Sequence, residues 1–471
     1  MSDRLRTLDL GRTLFSMRQL VVLNLAALTP SEVTGETMPN LAKLAQAGCL
    51  TPMREPFPAL TCTSHATMVT GELPRTHGIV GNGWYERSHA KVFMWNRSAN
   101  QVAGETLWDA AKARAPNFKA ANLFWRFVAD SSCDLQVTER PVYWTSGRKT
   151  FDFFTAPPAL HDRLKNNLGG FPFMQFWGPF AGLKSSQWIL DAVRQVLREE
   201  KPDLLMAYAP YLDYEGQRYG PDAASSRAAL TSMDTALTGL LDDVEKAGAD
   251  LAIVSDYGFT PVSRPVQINR ILREKGFVAI EVAANGDQIA SGASRAFAVC
   301  DNQVAHVYVA SSDDLSAVTE VLQTVPGVSH VLDAQGKTEV GIDHPRAGDL
   351  IAVAESDSWF DYRYWTDPNR APDFDPCIAI FDKAGFDPCE LFPPPGPFGK
   401  LKIALRVAQK MARQAVPFDV IDPDPSRPGG ARNIAADEKD GAVLITSWDR
   451  DATPLPMQGL KALLLERMFQ D

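Results

Sequence analysis

No stretch of this chain approaches the roughly 18 consecutive apolar residues that a membrane-spanning helix needs, so we expect no membrane span. A long basic block is also missing, and the formal net charge is −10. Because binding to a nucleic-acid polymer depends on Lys and Arg neutralising phosphates, this composition argues against such a partner and favours a small ligand. Residues 1–20 lack an apolar run before a small-residue cleavage site, and we expect no leader there.

The six cysteines show no metal-binding spacing such as Cys-x-x-Cys. We expect reduced thiols rather than a disulfide framework, and therefore a cytoplasmic location. Internal repeats and low-complexity tracts are absent too. What is present is the composition of a globular protein, with 45% hydrophobic and 9% aromatic residues. At 471 residues the chain can form one large α/β domain with an insertion, or two or three smaller units.

Three nearly continuous apolar runs are typical of strands buried on both faces of a parallel sheet: residues 20–25, 204–209 and 251–254. Helical spacing of apolar residues predicts helices over 37–47 and 225–246. Asp213 and Asp256 follow the two later strands. This order predicts an α/β fold with a doubly wound, mostly parallel sheet and helices on both faces, which collects functional groups at the carboxyl ends of its strands.

The predicted α/β core covers residues 18–280 together with 425–471, and within it residues 85–190 form an aromatic-rich covering region. Strand-like and helix-like segments predict a small α+β insertion over 290–390. Residues 393–425 contain a Pro-rich break and a basic amphipathic helix over 401–415. We interpret this helix as having an ordinary solvated face rather than as a membrane anchor.

The most informative segment is 57–71 (FPALTCTSHATMVTG), followed by 75–82 (RTHGIVGN). It predicts a loop that places the Thr61 hydroxyl at the start of a short helix. A helix start offers free backbone N–H groups and the positive end of the helix dipole, which suit a phosphate or an attacking alkoxide. The alternative role for Thr61 is helix capping.

These two segments resemble the nucleophile region of the alkaline phosphatase superfamily, specifically its type I phosphodiesterase/nucleotide pyrophosphatase branch. The resemblance covers about 20–100, 200–275 and the C-terminal strand. It implies that Thr61 is a nucleophile. It also implies two metal ions, usually zinc, held by three aspartates and three histidines.

Most of those metal ligands are replaced in this chain. Four positions differ from the family pattern: Ala26 stands where the first Asp belongs, Gln217 and Tyr257 replace histidines, and the stretch 427–432 around Gly430 has no histidine for the late His-Gly. The resemblance retains two metal-ligand carboxylates, Asp213 and Asp256.

An all-oxygen ligand set suits a hard cation better than zinc, which commonly takes imidazole ligands. We therefore expect one Mg²⁺, Mn²⁺ or Ca²⁺ ion at Asp213 and Asp256. The alternative is that no ion binds, in which case one carboxyl group is protonated or the pair is neutralised by Arg218 or Arg264.

Three further residues are candidate substrate contacts. Ser64 lies near the position where phosphodiesterases of the resembled family hold an Asn that touches phosphate. Asn82 is the other candidate for that contact, although it also suits a tight turn. Gln217 adds an amide beside Asp213. His65 lies one helical turn after Thr61 and is interpreted as a packing residue rather than a base.

The resemblance implies a phosphoric ester hydrolase that acts on a small phosphodiester or nucleotide through Thr61. The alternative is a catalytically silent relative that binds a phosphorylated metabolite or serves as a partner protein in a biosynthetic system. A sulfatase is disfavoured because its Cys/Ser-x-Pro-x-Arg signature does not match residues 61–65.

Overall fold

The computed structural model describes residues 17–146, 149–412, 414, 416–433 and 437–470. Residues 1–16, and Arg413 and Ala415 of the predicted basic helix, lie outside this part. The strands are β1 Leu20–Leu25, β2 Cys49–Arg54, β3 Gly83–Glu86, β4 Lys91–Met94, β5 Ala120–Leu123, β6 Leu135–Tyr143, β7 Lys149–Ala156, β8 Leu204–Ala209, β9 Asp250–Val254, β10 Gly258–Pro261, β11 Arg264–Val266, β12 Ile280–Ala283, β13 Gly286–Ile289, β14 Ala296–Asp301, β15 Val304–Val309, β16 Val328–Leu332, β17 Leu350–Ala354, β18 Ser358–Phe360, β19 Gly430–Asn433, β20 Ala442–Thr446 and β21 Leu455–Pro456.

The α-helices in the described residues are α1 Pro39–Ala47, α2 Thr61–Thr70, α3 Pro74–His77, α4 Leu107–Arg114, α5 Ala159–Leu168, α6 Leu183–Glu200, α7 Tyr211–Tyr219, α8 Ala224–Ala247, α9 Ile268–Glu274, α10 Leu315–Gln323, α11 Ala334–Glu339, α12 Gly396–Met411 and α13 Leu460–Phe469. Short 3-10 turns join several of them. None of these helices is both long and apolar enough to cross a bilayer.

The largest sheet in the described part of the chain has nine strands in the order β21-β2-β20-β9-β1-β8-β5-β6-β7. Strand β1 pairs in parallel with both β8 and β9, and the parallel pairing continues through β5 to β6. Strand β20 joins β9 in the antiparallel direction. The predicted α/β fold with a mostly parallel sheet is therefore confirmed.

Helices cover both faces of this sheet, which explains why its central strands β1, β8 and β9 are nearly continuous apolar runs. Alternate side chains of β1 leave the sheet on opposite sides. On one side Val21 and Leu23 pack with α1, α6 and α8. On the other side Leu20 and Val22 pack with α2, α4 and α13. This packing holds α2, and with it Thr61, close to the carboxyl ends of the strands.

Strands β5, β6 and β7 come from the aromatic-rich stretch, where the sequence shows no long apolar run. Strand β5 has only four residues, and β6 and β7 pair as an antiparallel ribbon. The outer half of β6 is largely exposed, so it lacks the continuous apolar character of a central strand. This ribbon carries part of the cavity described below.

A second sheet of four strands, in the order β14-β15-β17-β16, is antiparallel. Val318 and Leu322 of α10 pack in the apolar cluster built around it. Helix α12 begins at Gly396, earlier than the predicted start at 401. Its Lys402 and Arg406 form ion pairs with Asp419.

Candidate functional site

Thr61 and Asp213 meet at one tyrosine hydroxyl near the carboxyl ends of β8 and β9. Thr61 is the first residue of α2, and its Oγ1 lies 3.2 Å from the hydroxyl oxygen of Tyr257. Tyr257 in turn donates a hydrogen bond of 2.7 Å to Asp213 Oδ1. Asp213 itself lies in the first turn of α7, which follows β8 directly. The structure thus brings together Thr61 and one of the two predicted metal-ligand carboxylates.

Asp256, the second predicted ligand, lies beside the same group of residues but faces other partners. Its Oδ1 accepts a hydrogen bond of 3.2 Å from the backbone N–H of Ala27. Its Oδ2 lies 3.6 Å from Nε2 of His65, and both side chains are fully buried. The backbone N–H of Ala27 therefore donates to Asp256 directly beside Ala26, the position at which the resembled family has its first aspartate.

Arg432 occupies the site and was not among the site residues predicted from sequence. Its Nε and Nη2 each lie 2.9 Å from an oxygen of Asp213, which is a bidentate ion pair. Its guanidinium also lies 4.9 Å from the ring centre of Tyr257 and 4.8 Å from that of Phe386. Burial opposes the charge on Arg432, but Asp213 outweighs it and the pKa of Arg432 is raised above its usual range.

Strand pairing explains how Arg432 reaches Asp213. Strand β19 runs antiparallel to β10, and Arg432 pairs with Phe259, two residues after Tyr257. The backbone N–H of Arg432 also donates to the side-chain oxygen of Asn302 at 3.2 Å. The only sequence signal is an arginine in the segment matched to the family's late His-Gly.

The three predicted substrate contacts are buried and bonded to neighbouring protein groups. Ser64 donates to the main-chain oxygen of Asp256 at 2.7 Å, and the Gln217 amide donates to Asp213 Oδ2. Asn82 Oδ1 accepts from the N–H of Cys62 at 3.0 Å, and its amide nitrogen lies 3.2 Å from Asp301. In this arrangement they hold the site together, and contact with a phosphate stays a prediction for each.

His65 positions neighbouring groups. Its Nδ1 accepts a hydrogen bond from the backbone N–H of Arg126, and its Nε2 lies 2.9 Å from the side-chain amide nitrogen of Asn24 and 3.6 Å from Asp256 Oδ2. The ring packs against Trp125 and Tyr208. Burial lowers the pKa of His65 although Asp256 acts in the opposite direction. The imidazole is therefore neutral.

His77 contacts α2, and its buried ring predicts how the stability of the protein depends on pH. The hydroxyl of Thr67 on α2 lies 3.0 Å from His77 Nε2, and burial lowers the His77 pKa to about 3. Below pH 6.5 the unfolded chain binds a proton at His77 that the folded chain does not bind, so stability falls as the pH falls.

We compare the free energy of unfolding of the wild type with that of His77→Asn. As the pH is lowered from 6.5 to 4, we expect the wild type to lose about 1.4 kcal/mol per pH unit relative to the variant. Urea unfolding of both proteins at several pH values measures it. Replacing the exposed His89 by Asn should leave the slope unchanged, and equal slopes for all three proteins would contradict the assignment.

The residues of the site do not fit the divalent cation that the fold family implies. Among the described residues, no group of three or more His, Cys, Asp or Glu is placed to hold a metal ion. Both oxygens of Asp213 already accept hydrogen bonds from Arg432. A divalent ion bound to Asp213 would lie beside a guanidinium, and the two positive charges would repel each other.

A cavity of about 1650 Å³ reaches the site from the surface. Asp213, Arg432, Tyr208 and Arg126 line its inner end, and aromatic residues line much of the remainder. Thr61 is only 1% exposed and lies behind this wall, next to Tyr257. A ligand in the cavity therefore meets Arg432 before it meets the threonine hydroxyl.

The chain is similar in sequence to a known protein family and to several of its members. A family model described as type I phosphodiesterase / nucleotide pyrophosphatase matches residues 20–376. An uncharacterized pyrophosphatase/phosphodiesterase of Schizosaccharomyces pombe is 26% identical over 235 residues, which cover 48% of this chain and 41% of that protein. Human ectonucleotide pyrophosphatase/phosphodiesterase family member 1 is 24% identical over 233 residues, covering 48% of this chain and 21% of that protein.

Two solved structures are similar over nearly the whole chain. Phosphonoacetate hydrolase from Sinorhizobium meliloti 1021, in complex with phosphonoacetate, superposes with a TM-score of 0.63 at 15% identity, covering 96% of each chain. An inactive form of murine ectonucleotide pyrophosphatase / phosphodiesterase 5, in complex with AMP, gives a TM-score of 0.59 at 12% identity, covering 96% of this chain and 95% of that one. At these identities the likeness shows a shared fold.

Proposed function

The chain belongs to the type I phosphodiesterase/nucleotide pyrophosphatase family, and from that premise we propose that it hydrolyses a phosphoric ester, a small phosphodiester or a nucleotide, through Thr61. One observation carries this proposal. The hydroxyl of Thr61 lies within hydrogen-bond distance of Tyr257, which itself donates to the carboxylate of Asp213. The three groups form a path along which the nucleophile can lose its proton.

The chemistry follows from that path. Thr61 Oγ1 forms the new bond to phosphorus while its proton passes to the Tyr257 oxygen and the Tyr257 proton passes to Asp213. The bond to the leaving oxygen breaks, and that oxygen departs as an anion with the bonding electron pair, which leaves a phospho-threonine. Water then attacks its phosphorus and releases its own proton to solvent, and the departing Thr61 oxygen regains the proton held on Asp213 through Tyr257. The positive charge of Arg432 and the start of α2 stabilise the charge on the phosphoryl oxygens.

Arg432 takes the electrostatic role that a metal ion has in the family. The family is of the divalent-metal-dependent type, and the sequence predicted one hard cation at Asp213 and Asp256. Because both oxygens of Asp213 are bonded to the guanidinium, we assign the positive charge at the site to Arg432. Hydrolysis should then proceed without an added metal ion.

Turnover of a nitrophenyl phosphodiester tests this assignment. We expect release of nitrophenol that is unchanged by EDTA and is not increased by Mg²⁺, Mn²⁺ or Zn²⁺. Turnover that appears only with an added ion would overturn the assignment of Arg432. Metal analysis of the purified protein should agree, with less than one ion per chain.

A second function is favoured by the burial of Thr61 behind the cavity wall. In this case the chain is a catalytically silent relative that binds a phosphorylated metabolite or acts as a partner protein in a biosynthetic system. No turnover under any metal condition, together with retained binding of a nucleoside monophosphate, would support this second function over hydrolysis.

Tyr257→Phe tests the proton path separately from the fold. Loss of the hydroxyl removes the link between Thr61 and Asp213, and we expect turnover to fall by about a hundredfold. The ring remains, so the thermal midpoint should change little. The control is Tyr214→Phe, which removes an equally buried hydroxyl bonded to the main-chain oxygen of Phe176 instead. Equal losses of turnover in both variants would contradict a specific role for Tyr257.

We also propose a cytoplasmic location, on the basis of the cysteines. All six are free thiols in the structure, which suits a reducing compartment. Cell fractionation tests this location, and recovery of the protein from the medium would contradict it.

A further inference from the structure

Helix α12 carries an apolar stripe on its outer face. The stripe consists of six exposed residues at helical spacing: Pro397, Phe398, Leu401, Ala404, Leu405 and Ala408. Phe398 is 83% exposed, Leu401 66% and Leu405 55%. Residues three or four apart lie on the same side of a helix, so these side chains form one continuous strip. A helix whose outer face only meets water would have polar residues there.

The opposite face of α12 fixes the direction in which the apolar stripe points. Ile403 is buried and packs with Val420 and Ile421. Lys402 and Arg406 form ion pairs with Asp419. Turning the stripe inward would break all of these contacts, so the stripe is held outward by the fold.

The helix is also basic. Lys400, Lys402, Arg406 and Lys410 lie within residues 396–411, and that stretch of the sequence contains no Asp or Glu. Lys400 is exposed beside the apolar stripe. This positive segment belongs to a chain whose formal net charge is −10. An apolar stripe flanked by basic residues is typical of a helix that lies in the interface of an anionic membrane.

We propose that α12 docks the protein on a membrane surface that contains anionic lipids. The apolar stripe lies at the boundary between headgroups and acyl chains, and the basic residues beside it contact lipid phosphates. This docking is independent of the hydrolysis proposed above. From sequence alone the helix was interpreted as having an ordinary solvated face, because the pattern does not show which side of it packs inward.

A second copy of the chain fits this surface less well. The 16 residues of α12 span about 24 Å, and a stripe about 10 Å wide along them covers roughly 240 Å². A stable protein interface usually buries about 800 Å² on each partner. A symmetric contact through α12 would also bring Lys400 and its basic neighbours towards the same residues of the other copy, and these charges repel each other.

Co-sedimentation with vesicles tests the docking. The full chain is mixed with vesicles of phosphatidylcholine alone, or of equal parts phosphatidylcholine and phosphatidylserine. We expect roughly tenfold tighter binding to the anionic vesicles, and weaker binding at high salt, because salt screens the basic residues. Absence of binding to both vesicles, or equal binding to the two, would overturn the proposal.

Two exposed surfaces supply matched variants. In Phe398→Ser/Leu401→Ser the stripe loses two large side chains, so binding to the anionic vesicles should weaken by about tenfold or more. The thermal midpoint should stay unchanged, since both side chains are exposed. Val282→Ser is the control, because Val282 is 76% exposed on β12, away from α12, and it should bind as the wild type does. Wild-type binding by the double variant would contradict the role of the stripe.

Sedimentation velocity without lipid distinguishes a membrane from a second copy as the occupant. We expect the wild type and Phe398→Ser/Leu401→Ser to have the same mass over the whole concentration range. A concentration-dependent dimer of the wild type that the double variant does not form would assign the stripe to a second copy, and the membrane proposal would be wrong.

Discussion

Arg432→Met will lower the free energy of unfolding by about 3–5 kcal/mol, the loss found when one partner of a buried ion pair is removed. Arg432 contacts both oxygens of Asp213, and both side chains are about 2% exposed. Without the guanidinium, the Asp213 carboxylate keeps Tyr257 and Gln217 as its hydrogen-bond donors among the residues that the structure describes. Urea unfolding, followed by fluorescence, measures the change.

Two controls separate the loss of the buried pair from a general effect of removing an arginine. In Arg432→Met/Asp213→Asn no uncompensated charge remains, so the double variant should be more stable than the sum of its single changes predicts. Arg54→Met breaks a surface pair with Glu438, in which the arginine is 60% exposed, and should cost under about 1 kcal/mol. Strictly additive single changes at 432 and 213 would contradict a coupled pair.

Thr61→Ala will lower the turnover of a nitrophenyl phosphodiester by about a thousandfold or more, because the nucleophilic oxygen is removed. The hydroxyl lies within hydrogen-bond distance of Tyr257, so stability should fall by only about 1 kcal/mol. Binding of a nucleoside monophosphate should persist, since Arg432 lies nearer the cavity. Stopped and continuous nitrophenol assays measure the loss.

Thr63 provides the matched control on the same helix. It is fully buried, and in the described part of the chain its hydroxyl has no hydrogen-bond partner. Thr63→Val keeps the shape of the side chain and should leave turnover unchanged. Thr61→Ser keeps a hydroxyl and should retain measurable activity. Full activity of Thr61→Ala would show that another group attacks phosphorus.

The central sheet could be predicted from sequence because its signals are local. The apolar run 20–25 and the helix over 225–246 match β1 and α8 within a residue or two. Strands buried on both faces need continuous apolar residues, and a packed helix needs an apolar stripe. The start of α2 at Thr61 was predicted in the same way, from the loop before it.

The roles of Tyr257 and Arg432 could not be predicted, because they depend on contacts between distant segments. Tyr257 was identified only as a residue standing where a histidine is expected. Its hydroxyl gains a role through Thr61 and Asp213, which precede it by 196 and 44 residues. The Arg432 contact with Asp213 spans 219 residues and arises from the pairing of β19 with β10. No periodicity within either segment encodes such a contact.

The cavity was only partly predictable. An aromatic-rich covering region over 85–190 was expected, and Phe176 and Trp177 from that stretch do line the cavity. The facing wall comes from residues 373–382, from Gln414 and from residues 416–418. No local pattern predicts that those segments lie opposite the first, because only tertiary packing brings them together.

Two neighbouring residues at the end of β14, Asp301 and Asn302, contact the candidate site from outside the large sheet. Asp301 accepts both donors of Asn82, which caps the N–H of Cys62, and Asn302 accepts from the backbone of Arg432. The first turn of α2 and the backbone of Arg432 are thus anchored to one short turn. Excising the four-stranded unit would release both at once, so a truncated protein should lose the geometry of the candidate site even if the remaining layers still fold.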